Sequence, residues 1–252
     1  MSLSILSLKL ALGVSLGILP LMSGKGFLFV GNNQPGHFQV TEDTAREFGF
    51  SQSARRLMAD ASMDPDFYEW SHSAAHAQTG NDTQGVPNES EAQAVAHLYA
   101  WLDDKLAHVE QSLQAGQPRA ALYWLGYSLH AVEDLSPHQG ISNAQHAYLS
   151  AIGQNPDLNP AALTLAHRFA WQYLWGVRDK LGDAAWTQLI HFQGLPLSGP
   201  EKDKLLGHTW DISLGEVMTY QSQGDYYKSL AQRPEIHWDA PKVLEGYIQT
   251  LK

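Results

Sequence analysis

The stretch Tyr123-Trp124-Leu125-Gly126-Tyr127-Ser128-Leu129-His130-Ala131-Val132-Glu133-Asp134-Leu135-Ser136-Pro137-His138 decides how the chain is read. Residues 119–135 form a strongly helical segment, with Leu122, Leu125, Tyr127 and Leu129 giving it an apolar character. His130 and Asp134 stand four apart, so on a helix their side chains project from one face and can meet one ion. Placing an imidazole and a carboxylate among apolar neighbours is costly unless something charged compensates, and a metal does so. An isolated pair at this spacing would read as a plain hydrogen bond between helical neighbours. Two further histidines in the same short segment, His138 and His146, favour the metal. Pro137 is expected to end the helix near Asp134 and to turn the chain, bringing His138 back over the helix end. Glu133 points about a quarter-turn away from Asp134 and falls outside the ligand set.

Working outward, the helical pattern recurs. Thr41, Glu42 and Asp43 suit a helix N-terminus leading into residues 45–58. Residues 89–115 carry a nearly continuous apolar stripe, and helical spacing returns in 160–181, 183–192, 200–222 and 240–251. No run alternates convincingly with a period of two, and there is no internal repeat. The predicted fold is all-α: a single-domain helical bundle with a multinuclear metal site. Residues 63–88 are a long polar stretch containing Asp64-Pro65-Asp66 and Gly80-Asn81-Asp82, and a loop of that length inside a compact domain is usually functional or disordered.

Composition narrows the chemistry. Lys and Arg total 16 against 26 Asp and Glu, a formal charge of −10, so charge alone draws the protein to neither nucleic acid nor an anionic bilayer. There is no cysteine, which removes disulfides, thiolate ligands and a thiol nucleophile. Any metal is therefore held by His, Asp, Glu or backbone groups. Zinc suits that set, and ligand type alone leaves manganese, iron and nickel open. The chain lacks Gly-x-Ser-x-Gly, a phosphate loop and a dinucleotide fingerprint. His97, His108, His167, His191, His208 and His237 are scattered singly and read as surface or satisfied core groups. Trp101, Trp124, Trp171, Trp175 and Trp186 sit at core spacings.

Residues 1–26 read as a signal peptide: Lys9, an apolar run over 10–19, then Ser23, Gly24 and Gly26. A membrane anchor would need about 20 apolar residues, more than this run supplies. The mature domain is then 27–252, secreted or periplasmic.

The central segment resembles that of the zinc-dependent phospholipases C, which include the secreted phosphatidylcholine-preferring enzymes and clostridial alpha-toxin; the fungal single-strand nucleases share that fold. In this family a helical His-x-x-x-Asp is followed by a Pro-containing turn to a further His, and by another His beginning the next helix. Upstream, Gly36-His37-Phe38-Gln39-Val40 is similar to the early His of the family's first helix. Asp64-Pro65-Asp66 with His76 is similar to its Pro-Asp and downstream His. The resemblance covers roughly residues 27–150.

The resemblance implies two or three zinc ions. Asp66, His76, His130 and Asp134 would hold one, with Asp66 also the general base. His138 and His146 would hold a second. His37 and Asp134 would share a third with the α-amino group and carbonyl of a mature N-terminal Phe27. The family's acidic ligand one turn after the second-site His is here Ser150, so that site takes Asp157, a water, or stays vacant. Asp64 competes with Asp66, and His72 competes with His76. The implied activity is hydrolysis of phospholipids to diacylglycerol and a phosphorylated head group, with transient membrane-surface contact and no stable nucleic-acid partner. That reading predicts an apolar rim beside the site, for which Phe27, Phe29, Phe67, Tyr68 and Trp70 are candidates. Its rivals are a single-strand nuclease or 3′-nucleotidase, and a non-catalytic, metal-stabilised helical protein.

Overall fold

The computed structural model describes residues 36–82, 86–210 and 237–252. The fold is all-α. Its helices are α1 (His37–Glu47), α2 (Gln52–Ala61), the single turn α3 (Pro65–Tyr68), α4 (Glu91–Gln114), α5 (Pro118–His138), α6 (Asn143–Ala151), α7 (Pro160–Ile190), α8 (Gly199–Leu206) and α9 (Ala240–Thr250). Two 3₁₀ turns, Ser73–His76 and Pro156–Leu158, complete the helical set. Among the described residues no helix is long and apolar enough to cross a membrane.

Helix α5 is the axis of the molecule. Pro118 opens it at a position where a missing N–H costs nothing. Every residue from Ala121 to His138 is buried, so the helix is wrapped on all sides rather than amphipathic. α4, α7 and α2 pack around it. α2 approaches so closely at Gly126 that a Cβ there would collide with the backbone carbonyl of Met58. α4 begins with a reciprocal cap between Ser90 and Gln93, a device that contributes roughly 1 kcal/mol.

The sequence expectations fail at four places. The helix expected over 45–58 is two, because α1 starts at His37 and Ser51 re-caps the chain by accepting from Ala54 N–H. Pro137 does not end α5 near Asp134. It lies inside the final turn, Gln139 N–H still donates to Leu135 O at 3.3 Å, and burial on every side outweighs the single backbone bond the proline removes. The helix expected over 200–222 stops at Leu206, where Gly207 takes a φ of 81° as its cap; residues 211–222 lie outside the described residues. Trp171 and Trp175 are 39% and 38% exposed because they face Phe48 across α7 rather than the core. Trp101, Trp124 and Trp186 are buried as expected. α7 also breaks at Gly182, whose φ is 78°, where the periodicity divides 160–181 from 183–192.

Two short strands, absent from the sequence reading, position the site. β1 (Gln78–Thr79) pairs in parallel with β2 (Gly140–Ser142), Gln78 opposite Gly140 and Thr79 opposite Ser142. Each strand follows the same unit: a histidine, then a residue with left-handed backbone. The pairs are His76 with Ala77 and His138 with Gln139, both second residues at φ 48°. They are the only non-glycine residues with positive φ among those described, and each conformation costs roughly 1–2 kcal/mol. Such strain concentrates at functional sites. Trp238 seals the second turn, donating N–H to Gln139 O at 2.6 Å while its indole occupies the space a Cβ on Gly140 would need.

Candidate metal centre

α5 carries His130, Asp134 and His138 at successive four-residue steps, so all three point the same way. α1 brings His37, α3 brings Asp66, and the 3₁₀ turn after it brings His76. His146 comes from α6 and Asp157 from the second 3₁₀ turn. All of these but His130 line one pocket together with Trp70, Gln78 and Asn143, and His130 lies behind its wall against His76 and Asp134. The long polar stretch of 63–88 thus supplies Asp66 and His76 to the site.

Each inner histidine has one nitrogen behind it and one facing the pocket. His130 Nδ1–H donates to Ser62 O at 2.8 Å, His138 Nδ1–H to His76 O at 2.7 Å, and His76 Nε2–H to Glu69 O at 3.1 Å. His37 Nδ1–H donates to Glu133 Oε2 at 2.7 Å, whose other oxygen accepts from Thr41 Oγ1 at 2.6 Å. Carbonyl and carboxylate oxygens only accept, so in the neutral rings these partners fix the tautomers and aim the other nitrogen forward as the acceptor. This is how metal-ligating imidazoles are held.

The front atoms converge. His130 Nε2 lies 2.9 Å from His76 Nδ1 and 3.1 Å from Asp134 Oδ2. His76 Nδ1 is 3.4 Å from Asp134 Oδ2, and His37 Nε2 is 3.3 Å from Asp134 Oδ1. Asp66 Oδ1 stands 3.6 Å from His130 Nε2, and its Oδ2 is buried without a hydrogen-bond partner. With both rings neutral and pinned in this way their front lone pairs, 2.9 Å apart, would repel, and a solitary buried carboxylate oxygen is costly. A cation between them answers both. Further out, Asp157 bridges His138 Nε2 at 3.0 Å and His146 Nε2 at 3.1 Å. Three groups of ligand atoms each lie within 4.8 Å of one another: His37 with Asp66 and His130, His76 with His130 and Asp134, and His138 with His146 and Asp157. Buried His and Asp clusters able to hold metal ions are therefore present.

The field of the cluster favours positive charge. Burial opposes charge on His37, yet Asp134 and Glu133 lift it well above the usual imidazole value. His138, despite its burial, is raised to about 9 by Asp134 and Asp157. Burial would raise Asp134, but His138, His130 and His37 hold it well below the carboxylate range. Asp66 moves the other way, because burial outweighs the three imidazoles near it.

Position separates several of the candidates. Asp66 faces the cluster, whereas Asp64 accepts from Tyr123 at 2.9 Å and pairs with Lys202 at 2.8 Å. His72 turns outward to Glu69 at 2.6 Å, its side chain 54% exposed. Asp157, not Ser150, completes the outer group; Ser150 Oγ is buried without a partner. Glu133 stays off the pocket but holds His37, a role its quarter-turn offset signals only once α1 is known to pack there. The leader, its cleavage point and Phe27 lie outside the described residues, as does Phe29. Of the other rim candidates, Trp70 lines the pocket, Tyr68 is buried, and Phe67 stacks against Trp210 at 4.8 Å. Comparison of the chain with protein-family models, with curated proteins and with solved structures finds no match in any of the three.

Proposed function

We propose that the protein is a secreted, zinc-dependent phosphodiester hydrolase, of which a phospholipase C acting on membrane or micellar phospholipid is the favoured form. One observation carries the reading: four imidazoles and three carboxylates line one pocket, a fifth imidazole, His130, meets two of them from behind the wall, and four of the five are fixed from behind. The lipid form is supported by the resemblance of residues 27–150 and by exposed apolar groups next to the ligands. Trp210 is 59% exposed on Phe67, which adjoins Asp66; Leu158 adjoins Asp157.

Asp66, His76, His130 and Asp134 would hold one zinc, with His37 sharing Asp134, and His138, His146 and Asp157 would hold another. Bound zinc supplies Lewis acidity and the positive charge that lets an acidic protein accept a phosphate anion. Asp66 Oδ2, buried and without a protein partner, is the atom placed to take a proton from an attacking water. Attack in line on phosphorus then breaks the bond to the leaving alcohol, diacylglycerol for a phospholipid. His37, fixed by Glu133, holds Asp134 in place as the shared ligand.

The test is metal content of the purified mature protein, with turnover of a chromogenic phosphocholine ester and of single-stranded DNA before and after chelation. The expected result is two or three zinc ions and chelator-sensitive cleavage of the choline ester. DNA cleavage would move the assignment to the nuclease branch. Bound metal with neither activity would leave a metal-stabilised helical protein, and absence of metal would overturn the site.

A further inference from the structure

Among the inner histidines His76 is the exception. His37 and His130 present Nε2 to the inner cluster and His138 presents Nε2 to Asp157, but His76 presents Nδ1. The acceptor behind it is the carbonyl of Glu69, seven residues earlier, at 3.1 Å. Glu69 caps α3 with non-helical backbone at φ −133° and ψ 34°, and its carbonyl, besides facing His76, accepts from His72 N–H at 2.9 Å.

Its side chain is fixed as well. Trp101 Nε1–H donates to Glu69 Oε2 at 2.7 Å, His72 Nδ1 lies 2.6 Å from the same oxygen, and Lys105 Nζ is 3.3 Å from Oε1. Lys105 is 9% exposed, its ammonium group enclosed by three rings: 5.0 Å from the centre of Trp101, 5.6 Å from Trp124 and 5.7 Å from Tyr127. Burying a lysine costs free energy unless an anion and ring faces compensate. Glu69 is the buried one of its two anions; the other, Asp104 at 3.1 Å, has a 56% exposed side chain. Trp101 and Lys105 belong to α4, Trp124 and Tyr127 to α5, and His130 lies less than one turn beyond Tyr127.

The geometry points to Glu69, clamped by Lys105 within this aromatic cage, as a positioning residue that selects Nδ1 of His76 as the metal-facing atom. The inference rests on the metal reading above for its functional meaning, though not for its structural content. The cage fixes Glu69, the Glu69 carbonyl accepts the Nε2 proton, and Nδ1 is left to face His130 and Asp134. Turning the ring over would move the ligand nitrogen away from the position that the other two front atoms define.

The first measurement needs no variant. In the chelator-treated, ¹⁵N-histidine-labelled protein at alkaline pH, where the imidazole is neutral, His76 is expected as the Nε2–H tautomer. An Nδ1–H signal would overturn the inference whether or not the protein binds zinc. The second compares zinc affinity by chelator competition in Glu69→Gln, Lys105→Met and Lys105→Arg. The expected loss is about 10- to 100-fold for the first two, the range for groups that orient a metal ligand, with recovery in K105R and unchanged tautomers at His37 and His130. Unaltered affinity and an unaltered His76 signal in both E69Q and K105M would overturn the positioning role. Failure of the wild-type protein to bind zinc, with the Nε2–H tautomer present, would instead count against the metal reading and leave the hydrogen-bond device standing.

Discussion

The inner and outer halves of the metal centre are built differently. The inner half draws His37, Asp66, His76, His130 and Asp134 from four elements locked around the buried axis α5, with Asp134 2% and His130 0% exposed. The outer half draws His138 from the end of that axis, but takes His146 and Asp157 from α6 and a 3₁₀ turn. The His146 side chain is 19% exposed, and its ring meets the bridging carboxylate of Asp157 at 3.1 Å. Depth and support go together: the inner half is preorganised, and the outer half depends on a single bridging carboxylate. Two ions in these halves would therefore differ in affinity, the outer being the first to leave.

Removal of Asp134 should break the comparison most completely, because its two oxygens face His37, His76 and His130. Asp134→Asn is expected to abolish hydrolysis and to lower bound metal by at least one equivalent, measured by elemental analysis; retention of full metal content would refute the inner assignment. Asp157→Ala should be selective. It is expected to cost one equivalent, the more weakly held, with the inner ion still present after dialysis. Loss of both ions together would mean that the halves form one cooperative unit.

Glu133→Gln keeps the shape behind His37 but weakens a buried, charge-assisted bond. An affinity loss of about 10- to 100-fold for the inner ion is expected by chelator competition, without change in the outer one. The smallest effect belongs to the strained turns. Gln139 is exposed and left-handed, so Gln139→Gly should raise the thermal stability of the metal-free protein by no more than about 1 kcal/mol. A fall in stability would show that its side-chain bond to Ser136 O, at 3.1 Å, outweighs the strain.

How much was legible follows from how local each signal is. His130 and Asp134 were readable because four residues on a helix always share a face. His146 was readable only as one more histidine close after the segment, and Asp157 as one of three alternatives, since a ligand eleven residues on and in a 3₁₀ turn has no fixed spacing rule. The left-handed residues Ala77 and Gln139 carry no glycine to mark them, and the two-residue strands they introduce are too short for any alternation to appear. Trp171 and Trp175 misled because helical spacing gives a face without saying whether that face is covered.

Sequence by itself determined the all-α class, the break near residue 182, the absence of thiol chemistry and the set of residue types able to hold an ion, because propensity, periodicity and composition are properties of neighbours along the chain. Tertiary structure alone decided that α5 is buried on every side, that Pro137 stays helical, that Asp66 rather than Asp64 faces the pocket, and that Glu133 and Glu69 stand behind His37 and His76. Those outcomes depend on which distant segment fills the space beside a side chain, and burial then sets whether a charge is tolerated only when paired.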